Sequence, residues 1–260
     1  MPKSNTASCK KTVDNPFQRL SERKIKKIKK GSSHIYGKCV RCNTDTLGYP
    51  TPANRNPLEI VVNASEGFIP LWDKETTLHW RFQEQSLNHL ADTIVAKKAI
   101  RELLGKAILA WGSAVPIKFT ERNGLWDFEI SLQESDQCDI NGCVLARAFF
   151  PDAGRHELVI YPRMFQESEK EQIETIAHEI GHIFGLRHFF AQVNESAWPA
   201  EVFGEHEKFS IMNYGANSVM TSDDKDDLRR LYQMAWAGQL THINGTPIQL
   251  VKPFHTITQT

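Results

Sequence analysis

Three histidines fall within the eleven residues of "HEIGHIFGLRH", which runs from His178 to His188. On a helix, residues four positions apart lie on the same face, so His178 and His182 point the same way. Gly185 lets the chain turn sharply, and His188 then returns toward the other two imidazoles. A helix, a turn and a returning segment must therefore meet at one point, which restricts the folds open to this chain.

Three imidazoles at this spacing form a ligand set for Zn²⁺. A tetrahedral zinc ion with three protein ligands keeps one position open, as catalytic sites require. Glu179 follows His178 and is rotated from it by about 100° around the helix, so its carboxylate lies beside the metal rather than on it. There it can act as a general base toward water. Isolated histidine pairs are usually surface or core residues, but the five fixed positions of the complete pattern favour the zinc site.

The rest of the sequence suits one large domain with a basic arm. The 260 residues are 40% hydrophobic and 24% charged, which is enough to bury one core. The net charge is zero, yet residues 1–38 hold eleven Lys and Arg against two acidic residues. A like-charge run such as "RKIKKIKKG" is typical of a solvated arm, with nucleic acid, an anionic membrane or an address role as alternatives.

Hydrophobic spacing predicts strands around a long first helix. Leu78, Trp80 and Phe82 alternate as in a half-buried strand, and helical spacing runs from about residue 87 to residue 111. Short strands are predicted at "PIKFTE", "WDFEISL", "VLARAFF" and "ELVIYP".

Two further helices and a tail follow. Ser168 and Glu171 have the spacing of a capping box at the start of the histidine helix, which runs to Gly185. Ser222 is the predicted cap of a third helix with acidic residues in its first turn. The tail after this helix is predicted to be irregular or extended. This order of elements predicts an α/β layer arrangement.

The histidine pattern resembles the signature of the metzincin metallopeptidases, in which a methionine turn follows the zinc helix. The candidate turn is "SIMNYG", and its Met212 would form an apolar floor beneath the metal. The chain also resembles the matrixin catalytic domain at "PLWDKETTLHWRF", "AIRELLGKAILAWGSAVPIKFTE", "GCVLARAFFP" and "TSDDKDDLRRLY". The resemblance spans residues 68–236 and leaves 1–67 as an arm and 237–260 as a tail. It implies an α/β (α+β) metzincin fold: a twisted, mostly parallel five-stranded sheet with one antiparallel edge strand, two long helices and a C-terminal helix.

The departures from the matrixin pattern predict one catalytic zinc ion. Matrixins hold a second, structural zinc through histidines and an aspartate. Here Arg147 stands where one of those histidines is expected, and only Asp136 and His156 lie near plausible positions. A cation at Arg147 would repel zinc, so we expect that site to be absent. Calcium stays open as a further ion, without specific support from the residues.

These features predict a zinc-dependent endopeptidase that hydrolyses peptide bonds of protein or peptide substrates. Tyr214 occupies a place where astacins and serralysins have a tyrosine that can ligate zinc and stabilise the oxyanion. A tyrosine buried for its ring is the alternative. The substrate is expected to lie extended along "GCVLARAFFP". The resemblance also suggests a large apolar residue after the scissile bond, with the loop from Phe189 to Phe209 as the wall of its pocket.

The alternative function is a non-catalytic zinc-binding domain that mediates protein interactions, whose motif would not need Glu179. Nucleic acid is not expected as the main partner, because Tyr36 is the sole aromatic residue near the basic ones. No apolar run reaches the roughly 18 residues of a membrane helix, so no membrane span is predicted. We expect a monomer.

The five cysteines do not decide the compartment. An odd number argues against a dense disulfide framework, and Cys138 and Cys143 can bridge in an oxidising compartment or stay reduced in the cytosol. The resemblance suggests extracellular action, but no signal peptide is visible. Cytoplasmic residence and non-classical export therefore stay open.

The stretch "KCVRCNTDTLGYP" raises a hypothesis of latency. Matrixins are kept latent by a pro-segment cysteine that caps the zinc as thiolate, and Cys42 follows Arg41 as in that motif. Val40 and Asn43 replace the expected proline and glycine. A disulfide or a partial metal knuckle with Cys39 is the alternative role of Cys42.

Overall fold

The computed structural model describes residues 16–17, 40–41, 60–63, 67–139, 142–188, 200–203, 210–212 and 218–258. We number the elements in chain order. The strands are β1 (Val40–Arg41), β2 (Ile60–Asn63), β3 (Ile69–Trp72), β4 (Thr77–Phe82), β5 (Lys118–Glu121), β6 (Phe128–Leu132), β7 (Gln137–Asp139), β8 (Gly142–Val144), β9 (Ala146–Arg147), β10 (His156–Ile160), β11 (Leu186–Arg187), β12 (Ala200–Phe203), β13 (His242–Ile243) and β14 (Thr246–Val251). The helices are α1 (Thr93–Trp111), α2 (Glu169–Ile183), α3 (Ser222–Trp236) and α4 (Phe254–Ile257), with 3-10 turns at Glu84–Leu87, Gly112–Ala114 and Pro162–Gln166.

A five-stranded sheet in the order β5-β4-β6-β10-β9 forms the centre of the protein. Its first four strands are parallel, and β9 pairs antiparallel with β10. The prediction of a mostly parallel sheet with one antiparallel edge strand is therefore confirmed. In β4, Leu78, Trp80 and Phe82 are buried and the residues between them are half-buried, as their alternation predicts.

The two long helices pack against each other, and their buried side chains join those of the sheet in one hydrophobic core. The first helix begins at Thr93, later than the predicted start near residue 87, and a 3-10 turn at Glu84–Leu87 precedes it. Asp92 caps α1 by accepting hydrogen bonds from the N–H groups of Ile94 and Val95. Within the described ranges, no helix has both the length and the apolar character needed to cross a membrane.

The sequence predicted the N-terminal cap of α2 correctly, but not that of α3. Ser168 and Glu171 form the predicted capping box of α2. The cap of α3 is Thr221 and not Ser222, which is the first helical residue. Thr221 accepts from the N–H of Asp224, and the Asp224 carboxylate accepts from the N–H of Thr221. Thr221 has the extended backbone that a capping residue needs, so the hydroxyl one position earlier takes this role.

Three small sheets surround this centre, in the orders β1-β8-β7, β11-β2-β12 and β13-β14-β3. In the first, a disulfide joins Cys138 of β7 to Cys143 of β8, which are directly opposite each other in the pairing. The sequence left open whether these two cysteines are bridged or reduced, and the structure has them bridged.

The C-terminal tail is more regular than predicted. β13 and β14 form a hairpin, and β14 pairs in parallel with β3 at the start of the domain. The helix α4 then docks on the main sheet through His255, whose N–H donates to Asp127 Oδ1 at 2.9 Å and whose Nδ1 lies 2.8 Å from Oδ2. The partners of the tail lie far away in the sequence, so local spacing could not predict this arrangement.

Candidate metal centre

Three imidazole rings meet where the C-terminal part of α2 faces the end of β11. His178 and His182 belong to α2, and His188 directly follows β11. The Nε2 atom of His178 lies 3.0 Å from Nε2 of His188 and 3.2 Å from Nε2 of His182. All three residues are buried. The structure therefore brings together the three residues that the sequence pattern predicts as ligands.

The second nitrogen of two of these rings faces a backbone carbonyl. His178 Nδ1 lies 2.8 Å from the carbonyl oxygen of Ile211, and His182 Nδ1 lies 2.8 Å from that of Leu186. A carbonyl oxygen can only accept, so each Nδ1 carries the hydrogen and each neutral ring presents a bare Nε2 lone pair. Two such lone pairs at 3.2 Å repel each other unless a cation lies between them.

The arrangement fits a tetrahedral zinc ion. Zn–N bonds of about 2.0–2.1 Å imply distances of about 3.3–3.4 Å between ligand atoms, close to the 3.0 and 3.2 Å observed between the Nε2 atoms. Metal-binding histidines also generally donate their other N–H to a carbonyl or carboxylate, which fixes the ring orientation. The donor set and its hydrogen bonds therefore fit a zinc ion with three protein ligands.

Glu179 lies on α2 next to His178 and is only 1% exposed. The helical rotation of about 100° per residue turns its side chain away from the line that joins the two helical histidines. Burying a carboxylate costs free energy unless positive charge or hydrogen-bond donors compensate. Glu179 therefore stays the candidate general base that the sequence predicts.

Two large aromatic side chains hold the C-terminal end of α2. Trp72 Nε1 donates to the carbonyl of Ile183 at 2.7 Å, and the Tyr232 hydroxyl donates to that of Phe184 at 3.0 Å. Burial raises the pKa of Tyr232 far above its ordinary value, so the hydroxyl keeps its hydrogen. These bonds satisfy carbonyls that a helix end leaves without partners. Gly185 follows with a φ of 92°, the left-handed conformation that turns the chain toward His188.

Met212 packs directly against the zinc helix at Gly181. A Cβ atom at position 181 would overlap Met212 Sδ and lie 3.2 Å from Met212 Cε, so the Met212 side chain would have to shift to admit a larger residue. Met212 belongs to the predicted methionine turn. Asp224 holds this turn by accepting hydrogen bonds from the Ser210 hydroxyl and from the Ile211 N–H. The Ile211 carbonyl in turn lies 2.8 Å from His178 Nδ1, so Asp224 holds the segment that contacts this predicted ligand. Asp224 was not among the predicted site residues, because its contact with the turn depends on where α3 docks.

Several predicted elements lie outside the described residues. These include Tyr214, Cys42 and the loop from Phe189 to Phe209 except for β12. The strand β1 directly precedes Cys42 and pairs in parallel with β8, with Val40 opposite Cys143.

The residues considered for a second zinc have other neighbours. The Arg147 guanidinium lies 4.0 Å from the Glu157 carboxylate. Asp136 accepts a hydrogen bond from the backbone N–H of Arg163 at 2.7 Å. His156 stacks on a phenylalanine ring, with 4.4 Å between the centroids.

A second group of metal-ligating side chains in the described residues is His79, Asp127 and His255. The two rings are stacked, with centroids 3.8 Å apart and planes 23° apart. Stacked rings keep their in-plane lone pairs in two nearly parallel planes, which disfavours their convergence on one ion. Both Asp127 oxygens accept hydrogen bonds, Oδ2 also from the His79 N–H at 2.7 Å. We interpret this group as a hydrogen-bonded clasp for the C-terminal tail.

A family model described as Matrixin matches residues 71–233 of the chain. Stromelysin-3 from Rattus norvegicus is 29% identical over 104 residues, which cover 36% of this chain and 21% of that protein. The match thus spans about a fifth of the relative's length. Among solved structures, that of myroilysin aligns with a TM-score of 0.46 at 14% sequence identity, over 66% of this chain and 98% of that chain.

Proposed function

The chain belongs to the matrixin family of zinc metallopeptidases, and from this premise we propose that it is an endopeptidase with one zinc ion held by His178, His182 and His188. In this proposal Glu179 is the general base and Met212 forms the floor of the site. The observation that carries the proposal is the convergence of three Nε2 atoms, two of them on rings whose Nδ1 faces a carbonyl.

Held by His178, His182 and His188, a zinc ion would supply Lewis-acid polarisation of a peptide carbonyl and would lower the pKa of water toward about 7. The Glu179 carboxylate takes a proton from the attacking water and passes it to the leaving amine. Its burial supports this role, because charges act more strongly on each other where bulk water is excluded. The Nδ1–carbonyl bonds of His178 and His182 hold the rings in the tautomer that the reaction needs.

We propose that the substrate peptide lies extended along residues 142–151. In the described part of the chain β9 is the edge of the main sheet, so its outer side can accept an added strand. β8 is paired with both β7 and β1, so a peptide can reach Gly142–Val144 only when β1 is displaced. We therefore assign the first backbone contacts of the substrate to Ala146–Arg147.

Metal analysis and cleavage mapping test this function. Purified protein is expected to contain about one equivalent of zinc and to digest a peptide library. A chelator should abolish digestion, and one equivalent of zinc should restore it. Two stoichiometric zinc ions would contradict the single-site proposal. Tight zinc binding without any cleavage would favour the alternative, a non-catalytic zinc-binding interaction domain.

A further inference from the structure

We propose that β2 is a positioning element of the metal centre and acts on His182 and His188 through β11. The inference rests on the proposed function, since it concerns the ligands of the same zinc ion. β2 spans residues 60–63, upstream of the segment that the matrixin family model matches, residues 71–233. It also lies in the part of the chain that the sequence predicted as an arm.

β2 is the central strand of the sheet β11-β2-β12. Its residue Val62 lies opposite Leu186 in the antiparallel pairing, which continues to Arg187. The Leu186 carbonyl is the one that lies 2.8 Å from His182 Nδ1. His188 is the next residue after Arg187. β2 therefore holds both the Leu186 carbonyl, which orients His182, and the segment that leads to His188.

β11 depends on this pairing for its direction. It has only two residues and follows Gly185, where the chain reverses with a φ of 92°. So short a strand is not stable alone, and in the described part of the chain its strand partner is β2. Leu186 and Arg187 are 1% and 2% exposed. Without β2 the backbone groups that pair with it would lose those partners in a buried place, so the segment would have to shift.

β2 is anchored independently of the metal. Val62 is fully buried and belongs to the main hydrophobic core. The support therefore runs from the core through Val62 to Leu186 and then to the histidines. β2 also pairs with β12, which lies within the loop that is proposed to wall the substrate pocket. A change in β2 should therefore alter KM as well as metal binding.

The test compares Val62→Pro with Val62→Ile in the chain of 260 residues. Proline removes a backbone N–H from a strand that is paired on both sides, whereas isoleucine keeps the pairing. We expect Val62→Pro to raise the zinc dissociation constant about 10–100-fold, as loss of an outer partner of a metal ligand does. The absorption spectrum of the Co²⁺-substituted protein should change with it. Val62→Ile should retain both properties.

A milder pair of variants covers the case in which Val62→Pro does not fold. Val159 of β10 is as fully buried as Val62 but lies in the main sheet, so Val159→Ala is the matched control for Val62→Ala. Chelator competition should show weaker zinc binding for Val62→Ala than for Val159→Ala. Equal zinc affinities in this pair, or a wild-type cobalt spectrum in Val62→Pro, would overturn the proposal. A zinc-loaded wild-type protein that cleaves no peptide would contradict the proposed function only, since the positioning role is measured by metal binding.

Discussion

The substitution Gly181→Ala tests whether Met212 lies directly against the zinc helix. The new methyl group would overlap Met212 Sδ and lie 3.2 Å from Trp111 Cζ2. Trp111 is fixed because its Nε1 donates to the carbonyl of Ala177 at 2.9 Å. The Met212 N–H is bound to the Ser210 hydroxyl at 3.0 Å, so its backbone is also held in place. Trp111 cannot move aside without losing this hydrogen bond, whereas Met212 can relieve the overlap only by moving its side chain in a buried place.

The expected change in stability follows from two opposing effects. Overpacking a buried site costs about 1–3 kcal/mol, while alanine stabilises a helix interior by about 1 kcal/mol relative to glycine. The Gly181→Ala protein should thus be between unchanged and about 2 kcal/mol less stable. Gly105 is the matched control, because it lies inside α1 and a Cβ atom added there would meet no heavy atom within 4 Å. Gly105→Ala should therefore stabilise the protein by about 1 kcal/mol.

Urea unfolding of both variants, with and without zinc, measures this difference. Gly181→Ala should be about 1–3 kcal/mol less stable than Gly105→Ala, and only Gly181→Ala should bind zinc more weakly. In the double variant Gly181→Ala/Met212→Ala the loss of stability should be smaller than the sum of the two single losses, since the two side chains are in contact. A Gly181→Ala protein as stable as Gly105→Ala would refute the packing of Met212 against α2.

Three further predictions concern acid stability, the oxyanion and the arm. Burial, together with the neighbouring His255, lowers the pKa of His79. The folded protein therefore binds this proton less readily than the unfolded chain, and the stability present above about pH 6.5 should fall as the pH drops below that value. Thermal unfolding at pH 7.5 and 5.5 should show a loss of stability at the lower pH that is smaller in His79→Gln than in the wild type. An equal loss of stability in both proteins would contradict this role of His79. Tyr214→Phe should lower turnover about 10–100-fold if the hydroxyl stabilises the oxyanion, whereas unchanged turnover would favour a ring buried for packing. Cys42→Ser, or a chain that starts at residue 58 and so keeps β2, should raise the activity of freshly made protein if a thiolate caps the zinc; equal activity would end the latency hypothesis.

The zinc helix and the main sheet could be predicted because their signals are local. The spacing of His178 and His182 is set by one turn of helix, and the alternation in β4 is set by the pleat of a strand. The capping box at Ser168 also lies within four residues. Each of these signals is complete in a short stretch of sequence.

The supports of the site could not be predicted, because they join short segments that are distant in sequence. The pairing of Val62 with Leu186 leaves no pattern in either segment, and β11 is too short to show alternation. The contact of Asp224 with the methionine turn depends on where α3 docks. The pairing of β14 with β3 depends in the same way on tertiary structure. A local signal can identify ligands, but it does not identify what holds them.

The role of Glu179 as general base is tested most directly by zinc content and peptide turnover in Glu179→Gln. The matched control is Glu174→Gln, on the same helix, where the carboxylate is half-buried and lies 3.7 Å from Lys170. Both variants should retain about one equivalent of zinc, because neither glutamate is a proposed ligand. Turnover of Glu179→Gln should fall by about 10²–10⁴-fold, while Glu174→Gln should remain close to wild type. Wild-type turnover in a zinc-loaded Glu179→Gln protein would contradict the proposed mechanism.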